Sequence, residues 1–519
     1  MPSRRSFNKI RVFTTICTQQ IYEFRLVLTI KKPIFAAFVQ KKKFIFDLAI
    51  LLILNLLIKP FWILAIEPNV QMKVGNVSYG EYFVLFNFSF LINILLDFGL
   101  TNFNNKNIAQ HSHLLSKHFS KMLSLKFVLG LLYISVTLLV GFFVLDFELR
   151  YIKLLVILCI NNFFLSFILF LRSNLLALHL FRLDSIMSVL DRVIMIIIVA
   201  ALMFNLFGFE VDVMSFVYAQ TIGYGLTALI GFLVVLNKTH TFKLNWDWAF
   251  NRMILKKSFP FAILVLLMTF YNRLDSVMIE RILPGNLGKE QSGIYAKAFR
   301  LLDAANMIAY LFSVQLLPLF SRMLKNKENI EKIVKLAFTL LLTPALIVSI
   351  SSFFYADRFC EMLYKGNSEG YQILALLMSC FTAISITYIF GTLLTANGNL
   401  KYLNLMAISG ILINLLLNFI LIPQFYALGS AVASVVTQFL TCLIQVFISY
   451  KVFKFHFNKR LLLSLFFFIV GIVFANYFTM NLTGFWIYNF IIMLIFSGLL
   501  AFVTGMISIK SVLRFIKYK

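Results

Sequence analysis

Apolar runs of about twenty residues follow one another along almost the whole chain, and that repetition leaves few folds open. Hydrocarbon offers no water to the backbone, so each crossing segment must satisfy its own N–H and C=O groups as a helix of about 20 residues. Fourteen such runs can be read: 44–66, 80–100, 122–145, 151–179, 183–207, 212–236, 256–281, 292–320, 332–356, 371–395, 402–422, 426–450, 461–480 and 485–509. Composition agrees, since 61% of the 519 residues are hydrophobic and only 13% are charged. That is about half the charged share of a soluble domain, too little to coat a water-facing surface. The expected fold is an all-α polytopic membrane protein of about 14 transmembrane helices. A soluble enzyme, a nucleic-acid binder and a disulfide scaffold are poor descriptions of such a chain.

The charge is lopsided, with 47 Lys and Arg against 21 Asp and Glu, formally +26. Its distribution follows the rule that cytoplasmic connectors of membrane proteins collect Lys and Arg. Lys41–Lys43, the connectors around Lys117, Lys243, Lys327 and Lys454, and the tail from Lys510 to Lys519 fall on one side. The alternate connectors hold little beyond Lys73, Arg150, Lys153, Arg281, Lys289, Arg358 and Lys365. A missed or invented span would scramble this alternation, so both termini are expected to be cytoplasmic. Residues 1–43 lack a signal peptide's apolar core and read as a basic cytoplasmic arm, or as upstream sequence foreign to the protein. The five cysteines form no C-x-x-C, and His111 and His113 sit in a polar connector, so no metal or cofactor is expected. No phosphate-binding Gly-rich motif occurs.

An internal repeat organises the runs. Gly80-Glu81-Tyr82 recurs as Gly293-Ile294-Tyr295, and the basic pair Lys42-Lys43 recurs as Lys256-Lys257 at a similar offset. The expected organisation is a basic arm (1–43), a six-helix bundle (44–236), a cytoplasmic connector (237–255), a second six-helix bundle (256–450), and two extra helices with a basic tail (451–519). Six spans per half give both halves the same orientation, as in transporters built from parallel repeats.

An ionisable residue inside a span is costly, so each is a functional candidate. Lys59, Arg192, Arg273, Lys297 and Arg300 are expected to line a cavity between the halves and to bind an anionic cargo. Asp97, Asp275 and Asp303 are the candidates for coupling to H⁺ or Na⁺. A plainer reading pairs Arg273 with Asp275, Lys297 and Arg300 with Asp303, and Asp191 with Arg192 as helix locks. Lys59 has no near partner in sequence, and Pro60 beside it kinks the span.

The segment Asn414-Leu415-Leu416-Leu417-Asn418, then Pro423, then Gly429-Ser430-Ala431-Val432-Ala433, is the most distinctive in the chain. It resembles the N-x3-N-x4-P…G-x-A-x-A signature of polysaccharide-export and O-antigen flippases in the multidrug/oligosaccharidyl-lipid/polysaccharide (MOP) exporter superfamily. Arg273-Leu274-Asp275-Ser276, Leu317-Pro318-Leu319-Phe320 and Ala396-Asn397-Gly398-Asn399 are similar to other segments of that family. The resemblance implies a flippase that carries an undecaprenyl-diphosphate-linked oligosaccharide from the inner to the outer leaflet of a bacterial inner membrane. It also implies membrane lipids, polysaccharide polymerase and chain-length proteins as partners, and no nucleic acid.

Three rivals stay in view. A lipid II-type flippase would share the fourteen-span count. A drug or cation antiporter of the same superfamily would need acidic rather than basic lining. A membrane polysaccharide polymerase or ligase would need a long outer catalytic loop, and no outer connector much exceeds about fifteen residues.

Overall fold

The computed structural model describes residues 53–101, 115–178, 180–206, 208, 210–238, 246–455, 458–480 and 482–507. The arm at 1–43, His111 and His113, and the basic tail beyond residue 507 lie outside the described residues. All regular structure among the described residues is helical.

α1 (Ile53–Val74) widens into a π-turn at Trp62–Ile66, two residues after Pro60. Pro60 cannot donate to the helical ladder, and a local π-turn is one way a helix absorbs that loss. Gly75, at φ 82°, turns the chain straight into α2 (Asn76–Leu91), which one further turn, Ile94–Asp97, prolongs. α3 (Leu115–Leu139), α4 (Ile152–Ala177), α5 (Phe181–Met203) and α6 (Val213–Leu236) complete the first group. A capping box between Asp212 and Ser215 starts α6.

α7 (Trp248–Ile282) begins where the Asp247 carboxylate accepts from the backbone N–H of Phe250. The same carboxylate meets Lys121 of α3 at 2.5 Å. α8 (Gly285–Lys325), α9 (Glu331–Leu363) and α10 (Tyr371–Ala396) follow. The stretch Leu400–Phe453 breaks at Tyr426, φ 54°, three residues after Pro423, which divides it into α11 (400–425) and α12 (427–453). Gly429 lets the chain pass the break: a Cβ there would fall on the carbonyl oxygen of Leu421. α13 (Lys459–Thr479) and α14 (Trp486–Val503) pack on each other and on α9 through Leu342, Leu346, Phe468, Ile472 and Ala501.

Ten helical stretches among the described residues are long and apolar enough to cross a membrane, and the protein is a multi-pass membrane protein. The expected count of fourteen is not set by this measure. Leu400–Phe453 counts once, and α2, α7 and α8 are not among the ten. α7 and α8 carry five of the eight candidate charges: Arg273, Asp275, Lys297, Arg300 and Asp303.

Contacts concentrate within α1–α6 and within α7–α12, and α2 carries most of those between the groups, against α7 and α8. The α2–α8 crossing is backbone to backbone. A Cβ on Gly80 would fall on the carbonyl oxygen of Lys289, and one on Gly293 would fall on that of Asn76. Each glycine therefore meets the residue four before its repeat counterpart. Gly293→Ala is expected to push the helices apart and to cost about 1–3 kcal/mol of stability, as overpacking does. Thermal unfolding in detergent would measure it, with Gly484→Ala, where a Cβ meets open space, as the unshifted control.

Candidate functional site

The π-turn in α1 and the α2–α8 crossing bring charges from both groups of helices to one seam. Trp62 in the π-turn donates its indole N–H to Glu67 Oε1 at 2.7 Å. The other oxygen of Glu67 lies 3.0 Å from Arg300 Nε of α8, an ion pair that joins the two groups. The Arg300 guanidinium lies over the rings of Phe83 and Phe86 of α2, 5.2 and 5.0 Å from their centroids. One turn further along α8, Asp303 forms an ion pair with Arg273 of α7 at 3.0 Å and accepts a hydrogen bond from it at 3.3 Å. Arg273 also donates to Asn87 of α2 at 3.3 Å, and its guanidinium lies over Phe90 and Phe299. Aromatic faces carry negative charge density and share in holding these cations.

The belt continues into the first group. Arg192 of α5 lies over two rings, 5.5 Å from the Trp62 centroid and 5.6 Å from that of Tyr224. Its nearest carboxylate is Asp191 at 3.8 Å. Lys59 lies within electrostatic reach of Asp191, Arg192 and the Arg172–Asp184 pair, and it makes no hydrogen bond or ion pair with a described residue. The belt thus sets four cations, Lys59, Arg192, Arg273 and Arg300, against three carboxylates, Glu67, Asp191 and Asp303. The surplus is one positive charge.

Asp275 sits apart, buried between α7, α8, α11 and α12. Oδ1 accepts from Asn414 at 3.1 Å and Asn418 at 2.8 Å; Oδ2 accepts from Tyr295 at 2.8 Å and from the Ser434 hydroxyl. The four-residue spacing of the two asparagines puts both amides on one face of α11, turned to this carboxylate. No cation lies against Asp275 among the described residues, and the buried Asn418 Oδ1 beside it has no hydrogen-bond partner.

The remaining candidates have other partners. Lys297, one turn before Arg300 on α8, lies 3.7 Å from Glu369 and over the Tyr364 ring, beside a pocket of about 210 Å³ that Gln71, Asn76 and Asn367 also line. Asp97 pairs with Lys126 at 2.9 Å and caps Thr101. Only Asp191–Arg192 joins residues expected to pair by proximity. Arg273 and Asp275 are two apart, which turns them to different faces of a helix. Glu67, Asn87 and Glu369 were missed because each lies far along the chain from its partner. Glu67 also falls one residue past the first apolar run, although Pro68 after it marks an interrupted helix.

Removing one member of a buried ion pair leaves the other unmatched and costs about 3–5 kcal/mol. Glu67→Gln is therefore expected to lower the unfolding temperature sharply, and Glu67→Gln with Arg300→Met to recover much of the loss. Lys59→Met, which strands no partner, is expected to hold or raise it.

The sequence pattern of the family described as Polysaccharide biosynthesis protein matches residues 47–324. No curated protein sequence matches the chain. Among solved structures, the fold is similar to that of the lipid II flippase MurJ in an inward closed conformation, with a TM-score of 0.69 and 16% identity over 88% of this chain and 97% of that one. It is similar to an inward-facing multidrug resistance MATE family transporter of the MOP superfamily, at 0.56 and 12% over 77% and 94%. It is also similar to the Vibrio cholerae MATE transporter VcmN in the bent form, at 0.53 and 15% over 80% and 97%. At these identities the likeness is one of fold, shared with one flippase and two transporters. The chain shares its fold with these three proteins, and the family pattern covers more than half of it, so the protein belongs to the polysaccharide biosynthesis protein family.

Proposed function

We propose that the protein flips undecaprenyl-diphosphate-linked oligosaccharide, an O-antigen or other surface polysaccharide unit, across a bacterial inner membrane. The termini are cytoplasmic, and residues 44–236 and 256–450 are the bodies that rock to alternate access. The observation that carries this reading is the belt on their seam, with its surplus cation at Lys59. A diphosphate cannot enter hydrocarbon unaided, whereas its polyprenyl tail can stay in lipid. Lys59 and Arg192 receive the diphosphate first. Arg300 and Arg273 then take it in place of Glu67 and Asp303, since guanidinium forks suit phosphate as well as carboxylate. Glu67–Arg300 and Asn87–Arg273 join the two bodies, so this change of partner loosens the seam and favours the outward-open state. Lys297, set toward Glu369, contacts the sugars on the way out.

Asp275 is the coupling group, for H⁺ or Na⁺. Asp97 and Asp303 are each matched by a cation, and Asp275 is not. Polysaccharide polymerase and chain-length proteins receive the product outside.

A lipid II-type peptidoglycan precursor is the second reading, favoured by the 0.69 TM-score to MurJ. The surplus positive charge disfavours a cationic drug as cargo, and the fold disfavours a polymerase or ligase.

With Lys59→Met as the only copy, complete glycan-lipid is expected to collect on the cytoplasmic face while protein level holds. Export should fall by about tenfold or more, the equivalent of one charge-assisted contact. Unchanged export would overturn the role of the belt, and rescue of cells depleted of their own lipid II flippase would shift the cargo to peptidoglycan precursor. Asp275→Asn is expected to abolish the dependence of transport on an H⁺ or Na⁺ gradient, measured in proteoliposomes.

A further inference from the structure

We infer that the buried polar face of α12 is a water-lined passage that carries the coupling cation between Asp275 and the cytoplasmic side, inside the second bundle and apart from the route of the cargo. The inference rests on Asp275 as the coupling carboxylate.

Ser434, Thr437, Gln438, Thr441, Gln445 and Ser449 follow one another along α12 at steps of three, one, three, four and four. That spacing keeps them on one side of a helix. All six are buried, while Leu443 and Phe447 between them are 63% and 56% exposed. The polar side therefore faces into the bundle and the apolar side faces out. The upper end of the polar side is Ser434, which donates to Asp275. Its lower end is Ser449, fifteen residues on and about 22 Å away at the helical rise, close to the end of the helix at Phe453. Facing helices complete the lining. Gln438 donates to Asn272 of α7 at 2.7 Å, Gln445 lies against Gly391 of α10, and the Thr441 methyl lies against Gly410 of α11.

Polar side chains between membrane helices can serve simply to hold them together. In that role their atoms find partners. A helical Ser or Thr commonly returns its hydroxyl to the carbonyl four residues back, as Thr441 does to Thr437 at 2.8 Å. Thr437 Oγ1, Gln445 Oε1 and Ser449 Oγ have no hydrogen-bond partner among the described residues, although each residue is at most 1% exposed. Asn418 Oδ1, beside Asp275, is a fourth such atom. Oxygens left over at successive depths are the groups that buried water satisfies. A file of neutral oxygens ending at a carboxylate suits H⁺ or a small monovalent cation, and it repels the diphosphate that the belt attracts.

The test uses the full chain in lipid vesicles, with the native cysteines replaced and single cysteines placed by Thr437→Cys, Gln445→Cys, Ser449→Cys or Leu443→Cys. Ag⁺, a small monovalent cation that reacts with thiolate, is added on the cytoplasmic side. Thiols that escaped are counted by maleimide after denaturation. A thiol ionises in water and not in lipid or a dry core, so the three polar-face cysteines should react at least about tenfold faster than the lipid-facing one at Leu443. Reaction of all four at one slow rate would overturn the passage. Gln445→Met, an apolar plug of similar length, should slow gradient-driven transport and leave gradient-independent exchange of cargo intact; undiminished driven transport would also overturn it. If the polar face is dry while Asp275→Asn still uncouples transport, the passage alone fails. If the face is wet while Asp275→Asn transports normally, the coupling role of Asp275 fails, and with it the destination of the passage.

Discussion

Hydrocarbon gives a charge no solvent, so an ion within this bundle is held only by what its neighbours supply, and that requirement decides which helices touch. Arg172 with Asp184 and Lys126 with Asp97 tie the first group of helices internally. Arg300 with Glu67 and Arg273 with Asn87 tie the first group to the second. Bonds of the second kind also define a conformation, because breaking them is what separation of the groups requires. Two groups are matched less closely. Among the described residues Lys59, in the first group of helices, makes no ion pair and has Asp191 and Asp184 only within electrostatic reach, and Asp275, in the second, is a carboxylate with no cation against it. An anionic cargo and a cationic driver would each complete one of them, in different halves of the protein.

The helical class and the place of most helices were legible because lipid demands the same thing of every crossing segment, twenty apolar residues in a row. The turn at Gly75 and the break after Pro423 follow from single residues that the backbone geometry requires. The charged residues were recognisable as exceptions for the same reason, since 13% charge leaves each intramembrane ion conspicuous.

Their partners were not legible. Arg300 finds Glu67, and Arg273 finds Asn87, across the whole width of the first bundle in sequence. Nearness along the chain suggested Asp275 for Arg273, but residues two apart on a helix point away from each other. The asparagines of the N-x3-N segment show the opposite case. Their spacing stated that they share a face, and the tertiary fold supplied the carboxylate they share. Local pattern reports which way a side chain points, and only packing reports what it points at.

The crossing of α2 and α8 has the symmetry of a dyad. Gly80 meets the carbonyl of Lys289 and Gly293 meets that of Asn76, so each glycine touches the residue four before the other glycine. A contact in which i touches j′ while j touches i′ is isologous, the kind formed by two identical subunits about a dyad. The crossing has the form of such an interface, drawn between the two halves of one polypeptide. In such a dimer every substitution at the crossing would have struck both sides at once. A single chain is free of that constraint, and the seam carries Asn87 in the first half where the second carries Arg300, two residues that identical subunits could not have held at one position.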